Sequence, residues 1–536
     1  MLWTRKVGTW GRRVTLPALL STGLWSCAEP VLDVKVQIVK QTCGGNRDPL
    51  SDVTQLRVTV YGDNIESADV QTRFEIADAN GELPKIPVGT GRNIVIEALA
   101  GELVVSRGET GPLDLNKKDT KETVPATVFL RAVDSFTPSN LASDPGTCSK
   151  LVAARAGHTA TKLPSGKVLI AGGYTSDGTT KTYVKETEIF DPRTGETKAG
   201  PNILPRAFHT ATQIAGTNWV LLAGGETDGK AIGAAQLYDE ETNSIINAAI
   251  PMKMPRTRHV AVQALVGNDG ATPPLMLVGG YTGTDAKTGT NALKLAEIFE
   301  FDDQGQRFRD VSSVLNLQKG IAEASATPIL DGQGRVMVVG GWDGQNPIKD
   351  VLFFQYVPSQ NVYNLNASTT SLTEAHLLPV VSAFPSGLVV VSGGFLKHHQ
   401  QTGDLTDPST VTEYVNVTKS GVAFQKAPLA TLPEAAGYVS GTALKNGKIL
   451  VVGGQTAASG SIVTGSIIEP LEGNLKRRPT TNQLADARHL HATTLLDDGS
   501  VLVTGGLQTQ TGGTTTLNQI DVFQPAYVGI DNDPHK

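Results

Sequence analysis

The sequence predicts an all-β protein in which seven similar sheets follow a smaller β domain and an export signal. Three observations carry this. The chain has 536 residues with 57 Gly and 29 Pro but only 18% charged residues, a composition that suits short strands and tight turns better than helices. A glycine pair recurs seven times at intervals of 52, 55, 61, 53, 60 and 52 residues. Each pair follows a short apolar run, and a period near 50 residues marks a repeat architecture.

The pairs are Gly172-Gly173, Gly224-Gly225, Gly279-Gly280, Gly340-Gly341, Gly393-Gly394, Gly453-Gly454 and Gly505-Gly506. The runs before them include Val168-Leu169-Ile170, Val336-Met337-Val338-Val339 and Val501-Leu502-Val503. Continuous apolar strands are expected where both faces of a sheet are covered, as between stacked blades. Pro164-Ser165-Gly166, Asp269-Gly270, Pro385-Ser386-Gly387, Asn446-Gly447 and Asp498-Gly499 stand just ahead of the runs and read as hairpin turns. A further strand follows each pair, as in Glu188-Ile189-Phe190-Asp191, Gln236-Leu237-Tyr238-Asp239 and Glu297-Ile298-Phe299-Glu300. Seven pairs imply a seven-bladed β-propeller over residues 151–528.

A Gly-Gly pair joined to a downstream acidic-aliphatic-aromatic-Asp strand resembles the kelch repeat, the blade type also found in the central domain of galactose oxidase. The family's usual fourth-strand Trp is mostly missing here. The resemblance implies a ring whose loops on one face bind partners, and it fixes architecture more firmly than activity. No Cys lies beyond Cys148, so the propeller cannot supply the Cys–Tyr cross-link of galactose oxidase's copper site. Ring closure is expected from residues near the linker, which would complete the last blade.

Ahead of the repeats, residues 31–134 alternate apolar and polar positions, as in Val34, Val36, Ile38 and Leu56, Val58, Val60. Period two means half-buried strands. With Pro87-Val88-Gly89 leading into a strand that ends Glu97-Ala98, the stretch resembles the β-sandwich domains of transthyretin and of carboxypeptidase regulatory regions. Residues 135–150, with two Pro and several small polar residues, read as a linker.

Arg5, Lys6, Arg12 and Arg13 precede an apolar stretch, Val14 to Trp25, shorter than the roughly 20 residues a bilayer requires. It reads as a signal peptide spanning 1–27. Leu24-Trp25-Ser26-Cys27 resembles the bacterial lipobox, which implies diacylglycerol on Cys27 and a membrane tether; Ala28, where Asp would imply inner-membrane retention, implies the outer membrane. Cleavage without lipid, or an uncleaved anchor, are the alternatives. Outside the cytosol the two remaining cysteines, Cys43 and Cys148, are expected to pair, tying the first domain to the entrance of the propeller; two separate buried thiols are the alternative.

Four blades open with Arg-x-x-His: Arg155 with His158, Arg206 with His209, Arg256 with His259 and Arg488 with His491. A ring of imidazoles would be a metal or anion site, but no carboxylate or Cys stands beside them at ligand spacing, and a repeated local hydrogen bond explains them better. Blade five has Glu374 and His376 in this region, blade six has Glu434 and Tyr438, and blade four has neither Arg nor His. His398-His399 read as a solvated loop tip. A formal charge of −6, without basic runs past the N-terminus, argues against nucleic acid. No cofactor and no catalytic constellation are expected. The reading is an envelope binding or scaffolding protein that recognises protein or glycan through Thr-, Gly-, Asp- and Gln-rich loops after the glycine pairs. The alternative is a hydrolase or lyase acting on carbohydrate at the channel mouth.

Overall fold

The computed structural model describes residues 31–527, apart from 33, 41–42, 46–47, 63–64, 66–70, 76–85, 116–123, 266–272, 284–290, 303–306, 367–369, 400–403, 419–422, 459 and 472–473. The signal peptide and Cys27 therefore lie outside the described residues. These divide into two units: residues 31–133, 140–148 and 526–527, and residues 134–139 with 149–525. Among the described residues no helix is long and apolar enough to cross a membrane.

The second unit is a seven-bladed β-propeller. Each blade is a four-stranded antiparallel sheet; the first runs from the axis outward as Thr159–Lys162, Val168–Ala171, Glu186–Asp191 and Glu196–Asn202. The innermost strands of the seven blades lie side by side in sequence order, and Ala492–Leu495 of the last returns to Thr159–Lys162 of the first. Why the second strands are mainly apolar is visible in the packing. Val168 and Ile170 are buried against Leu502, Ile520 and Val522 of the seventh blade, while Leu169 and Ala171 are buried against Val220 and Leu222 of the second. Both faces are interior, so apolar residues predominate, and the buried polar residues at the strand ends, Ser392 and Thr504, are hydrogen-bonded.

The ring closes through Ser135–Pro138, which pairs antiparallel with Ile520–Gln524 as the outer strand of the seventh blade. Part of the stretch expected as a linker is thus a strand. Phe136 is buried and packs on Phe523, with ring centroids 5.1 Å apart. Asn482 secures it from the sixth blade: its amide accepts from the Phe136 N–H at 2.7 Å and donates to the Phe136 carbonyl at 2.7 Å. An edge that would otherwise expose a row of backbone groups is covered.

The first unit is one sheet curled into a half-barrel, where two stacked sheets were expected. Its order is Val34–Lys40, Val124–Ala132, Leu103–Glu109, Gly89–Ala100, Gln55–Tyr61, Gln71–Glu75, with the first pair parallel. The long strand Gly89–Ala100 accounts for the curl: its register shifts between Gly89 and Arg92 and again between Ala98 and Leu99, and such bulges bend a sheet. Inside the curl sit Val36, Leu56, Val58, Ile94, Ile96 and Val128. Cys43 and Cys148 form a disulfide, and both cysteines belong to this unit, but the loop that the bond closes leaves the unit through residues 134–139, which include the closing strand of the propeller. The sequence could not show this, because the chain enters the propeller at Ser135 and then turns back.

Candidate binding site at the axial mouth

The Arg-x-x-His motif and the glycine pair are two halves of one blade-to-blade joint. The N–H of the second glycine in each blade donates to the carbonyl at the Arg position of the next blade: Gly173 to Arg206, Gly225 to Arg256, Gly280 to Ile321, Gly341 to His376, Gly394 to Ala436, Gly454 to Arg488 and, closing the circle, Gly506 to Arg155, all at 2.7–3.0 Å. Gly172 and Gly173 have φ of 63° and 89°, left-handed values that side chains resist. A Cβ on Gly172 would run into the Arg206 carbonyl and the His209 ring, and one on Gly173 would lie 2.9 Å from the Ala156 carbonyl oxygen. Conformation and space both require glycine.

Within each blade the Arg is buried and its partner sits on the third strand. Arg155 pairs with Glu188, Arg256 Nη2 with Glu297 Oε2 at 2.5 Å, and Arg488 Nη2 with Asp521 Oδ2 at 2.6 Å, while Arg206 Nη2 donates to Gln236 Oε1 at 3.1 Å. The remaining blades replace the Arg, and two of them replace the carboxylate as well. In blade five His376 takes the Arg place, with Nε2 3.1 Å from Glu413 Oε1 and Nδ1 2.8 Å from the Gly393 carbonyl. Blade four has Ile321 there, and Leu352 replaces the carboxylate on the third strand. Blade six has Ala436, and its third strand carries Ser466. A buried ion is costly without a partner: where Ile321 and Ala436 replace Arg the carboxylate is gone too, while Arg206 keeps Gln236 and Glu413 keeps His376 as hydrogen-bonding partners.

The four imidazoles converge on no common centre. His209 Nε2 bonds Thr159 of the preceding blade at 3.1 Å, His259 Nε2 bonds Thr210 at 2.9 Å, and His158 Nε2 bonds Thr504 at 2.9 Å. His491 departs from this. The matching residue, Ser440, turns its hydroxyl to the His491 carbonyl, and both ring nitrogens of His491 lack a partner although the residue is only 7% exposed. Burial, then the neighbouring Arg, holds all four well below the ordinary value of 6.5, so they are neutral. Among the described residues no group of three or more His, Cys, Asp or Glu side chains is placed to hold a metal ion.

What differs from blade to blade lies one residue before the His position. Gly157, Phe208, Arg258, Glu323, Leu378, Tyr438 and Leu490 occupy it, all left-handed with φ of 49–62°. Six of these are not glycine, and each such conformation costs roughly 1–2 kcal/mol. Hydrogen bonds around the axis compensate: Phe208 N–H donates to Gly157, Arg258 to Phe208, Glu323 to Arg258, Leu378 to Glu323, and Gly157 to Leu490, at 2.7–3.2 Å. Beside this circle stands a second one, the residue after each glycine pair, bridged to the residue after each Arg position: Tyr174, Glu226, Tyr281, Trp342, Phe395, Gln455 and Leu507. Together the two circles form the axial mouth, over a cavity of about 280 Å³ lined by Phe208, Arg258, Leu378, Tyr438, Leu490 and His491 among others.

Arg258 is the centre of the mouth's charge. Its Nη1 donates to Glu323 Oε1 at 3.1 Å, its Nε lies 3.9 Å from Glu226 Oε2, and its guanidinium covers the Phe208 ring at 4.2 Å. Burial pushes the Glu323 carboxyl up, against the pull of Arg258. It also pushes the Tyr281 and Tyr438 phenols up. The hairpins after the glycine pairs lean over the mouth. Lys181 stands over the Tyr174 ring at 4.5 Å, and His398 stacks on Trp342 with centroids 4.4 Å apart. His398 is thus packed at 9% exposure and does not sit at a solvated tip; burial lowers it to about 4.

Sequence reasoning found the frame of this site and missed its contents. The available signal was the position that varies most: within the Arg-x-x-His segment and just after Gly-Gly, one residue takes widely different types from blade to blade beside glycines that recur.

Fold and mouth define a seven-bladed β-propeller with a partly covered axial cavity. No family model matches the sequence, and no curated protein matches it. Among solved structures the chain is similar to one described as the structure of YjhT, at 16% identity and a TM-score of 0.42, over 61% of this chain and 99% of that one.

Proposed function

We propose that the protein is a kelch-type propeller, exported and held at the outer membrane by lipid on Cys27, that binds a glycan at its axial mouth. One observation carries the binding reading: a left-handed position recurs in all seven blades, six of its residues are not glycine, and five of these, Phe208, Arg258, Leu378, Tyr438 and Leu490, line one cavity. A repeat needs no such diversity for its own stability, and strain held at a cavity is characteristic of binding sites. The mixture of aromatic rings, Tyr438 and Phe208, with polar groups at Arg258, Ser440 and His491 suits a sugar ring, and the volume limits the occupant to a single small unit. A glycan array with the full chain in detergent tests this, alongside the Tyr438→Ala variant. Retention of a defined glycan class by the wild type and its loss in the variant are expected; an empty array, or equal retention by both, overturns the reading.

The raised carboxyl of Glu323 favours a second reading, an enzyme acting on carbohydrate, because a perturbed acid beside a cavity is a candidate general acid. Turnover of chromogenic glycosides that disappears in Glu323→Gln would support it; absence of turnover across the sugars that bind would exclude it. The tether is tested by labelled palmitate, whose incorporation should vanish in Cys27→Ser.

A further inference from the structure

An arginine lining a cavity usually marks a seat for an anion, yet at this mouth the guanidinium is outnumbered. Glu323 and Glu226 lie 3.1 and 3.9 Å from Arg258, both nearly inaccessible, so the three side chains together carry one excess negative charge. One face of the guanidinium is taken by Phe208, which leaves little of it for a ligand's carboxylate. The rim adds no cationic surplus. Lys181 is the cation over Tyr174 and Phe208, while Asp228 acts on Tyr183, and Asp404 on His398 and Tyr438. Behind Arg258, Tyr281 faces Glu323. In the cavity wall His491 is buried with both ring nitrogens unpartnered, a neutral group that a hydroxyl can satisfy as donor or acceptor.

We infer that the mouth selects sugars that are uncharged or carry an amine and rejects those that carry a carboxylate, with Glu226 and Glu323 as the residues that set this preference. The inference rests on the mouth being the glycan seat. A carboxylate entering beside Arg258 would meet two carboxylates already there, at short range and with little water between. An amine would meet net negative charge and aromatic faces, both favourable.

The test titrates the full chain in detergent at pH 7.5 with methyl glucoside, glucosamine and methyl glucuronide, read by saturation-transfer NMR. Methyl glucuronide should bind at least tenfold more weakly than methyl glucoside, and glucosamine no more weakly than methyl glucoside. In Glu323→Gln, and separately in Glu226→Gln, the ratio between glucoside and glucuronide should shrink severalfold; each variant's unfolding temperature is measured first, and either one that folds suffices. Glucuronide binding as tightly as glucoside overturns the inference while leaving the mouth as the glycan seat. A ratio unchanged in a folded variant overturns the role of the two carboxylates. Failure of all three sugars to bind overturns the seat itself and the inference with it.

Discussion

Lowering the pH from 7.5 to 5.5 should destabilise the propeller by several kcal/mol through four side chains alone. His158, His209, His259 and His491 are neutral in the folded chain, held well below 6.5 by burial and by Arg155, Arg206, Arg256 and Arg488 beside them. Unfolding returns each to an ordinary imidazole, which takes up a proton below about pH 6.5. Because the folded value is depressed, the stabilisation is complete above the unfolded value and is lost as pH falls toward the folded one. At pH 5.5 each unfolded imidazole gains about 1.4 kcal/mol from protonation, and at pH 7.5 less than about 0.1. Four of them give a loss of about 5 kcal/mol, comparable with the whole stability of many domains. The raised carboxyls Glu323 and Asp521 offset a small part, since they gain protons in the folded state as pH falls. For a unit of this size, with an unfolding entropy of about 2 cal/mol/K per residue, the loss corresponds to a fall of roughly 6 °C. Calorimetry of the propeller transition at the two pH values measures it. His259→Gln, which keeps an amide for Thr210, should remove about 1.4 kcal/mol of the pH dependence, to which His398 and His489, lowered to about 4 by burial, also contribute. A transition that moves by less than about 1 °C would show that the imidazoles protonate in the folded ring, and the account of the joint would fail.

Other consequences can be measured directly. Arg256→Ile should cost about 3–5 kcal/mol by leaving Glu297 buried and unpaired, whereas Arg256→Ile with Glu297→Leu, which copies Ile321 and Leu352 of blade four, should recover a large part; additivity in this double-mutant cycle would refute the pairing. Asn482→Ala removes two hydrogen bonds from the closing strand and should lower stability by about 1–3 kcal/mol, with faster amide exchange at Phe136 than at the inner strands. Reducing Cys43–Cys148, whose residues are 105 apart, should cost about 4–5 kcal/mol, and because the loop contains Ser135–Pro138 the propeller transition should fall along with that of the first unit; a propeller transition left in place would contradict this.

The number of blades was legible in the glycine spacing, because a joint that must be rebuilt at every blade imposes its residues at every period. The apolar runs before the pairs announced strands covered on both faces for the same reason. Period-two alternation likewise announced the strands of the first unit, but whether they stack or curl depends on bulges at Gly89 and Ala98 that leave no mark in a hydrophobic pattern. Ser135–Pro138 read as linker because four residues with a Pro carry too little periodicity to declare a strand; only the open edge of Ile520–Gln524 makes them one. The mouth shows the same division. Local chemistry wrote Arg-x-x-His and Gly-Gly into the sequence, whereas Arg258, Glu226, Glu323, Tyr281 and Tyr438 lie up to some two hundred residues apart and become one site only when the ring closes. Repetition is a property of the chain, and convergence on an axis is a property of the closed circle.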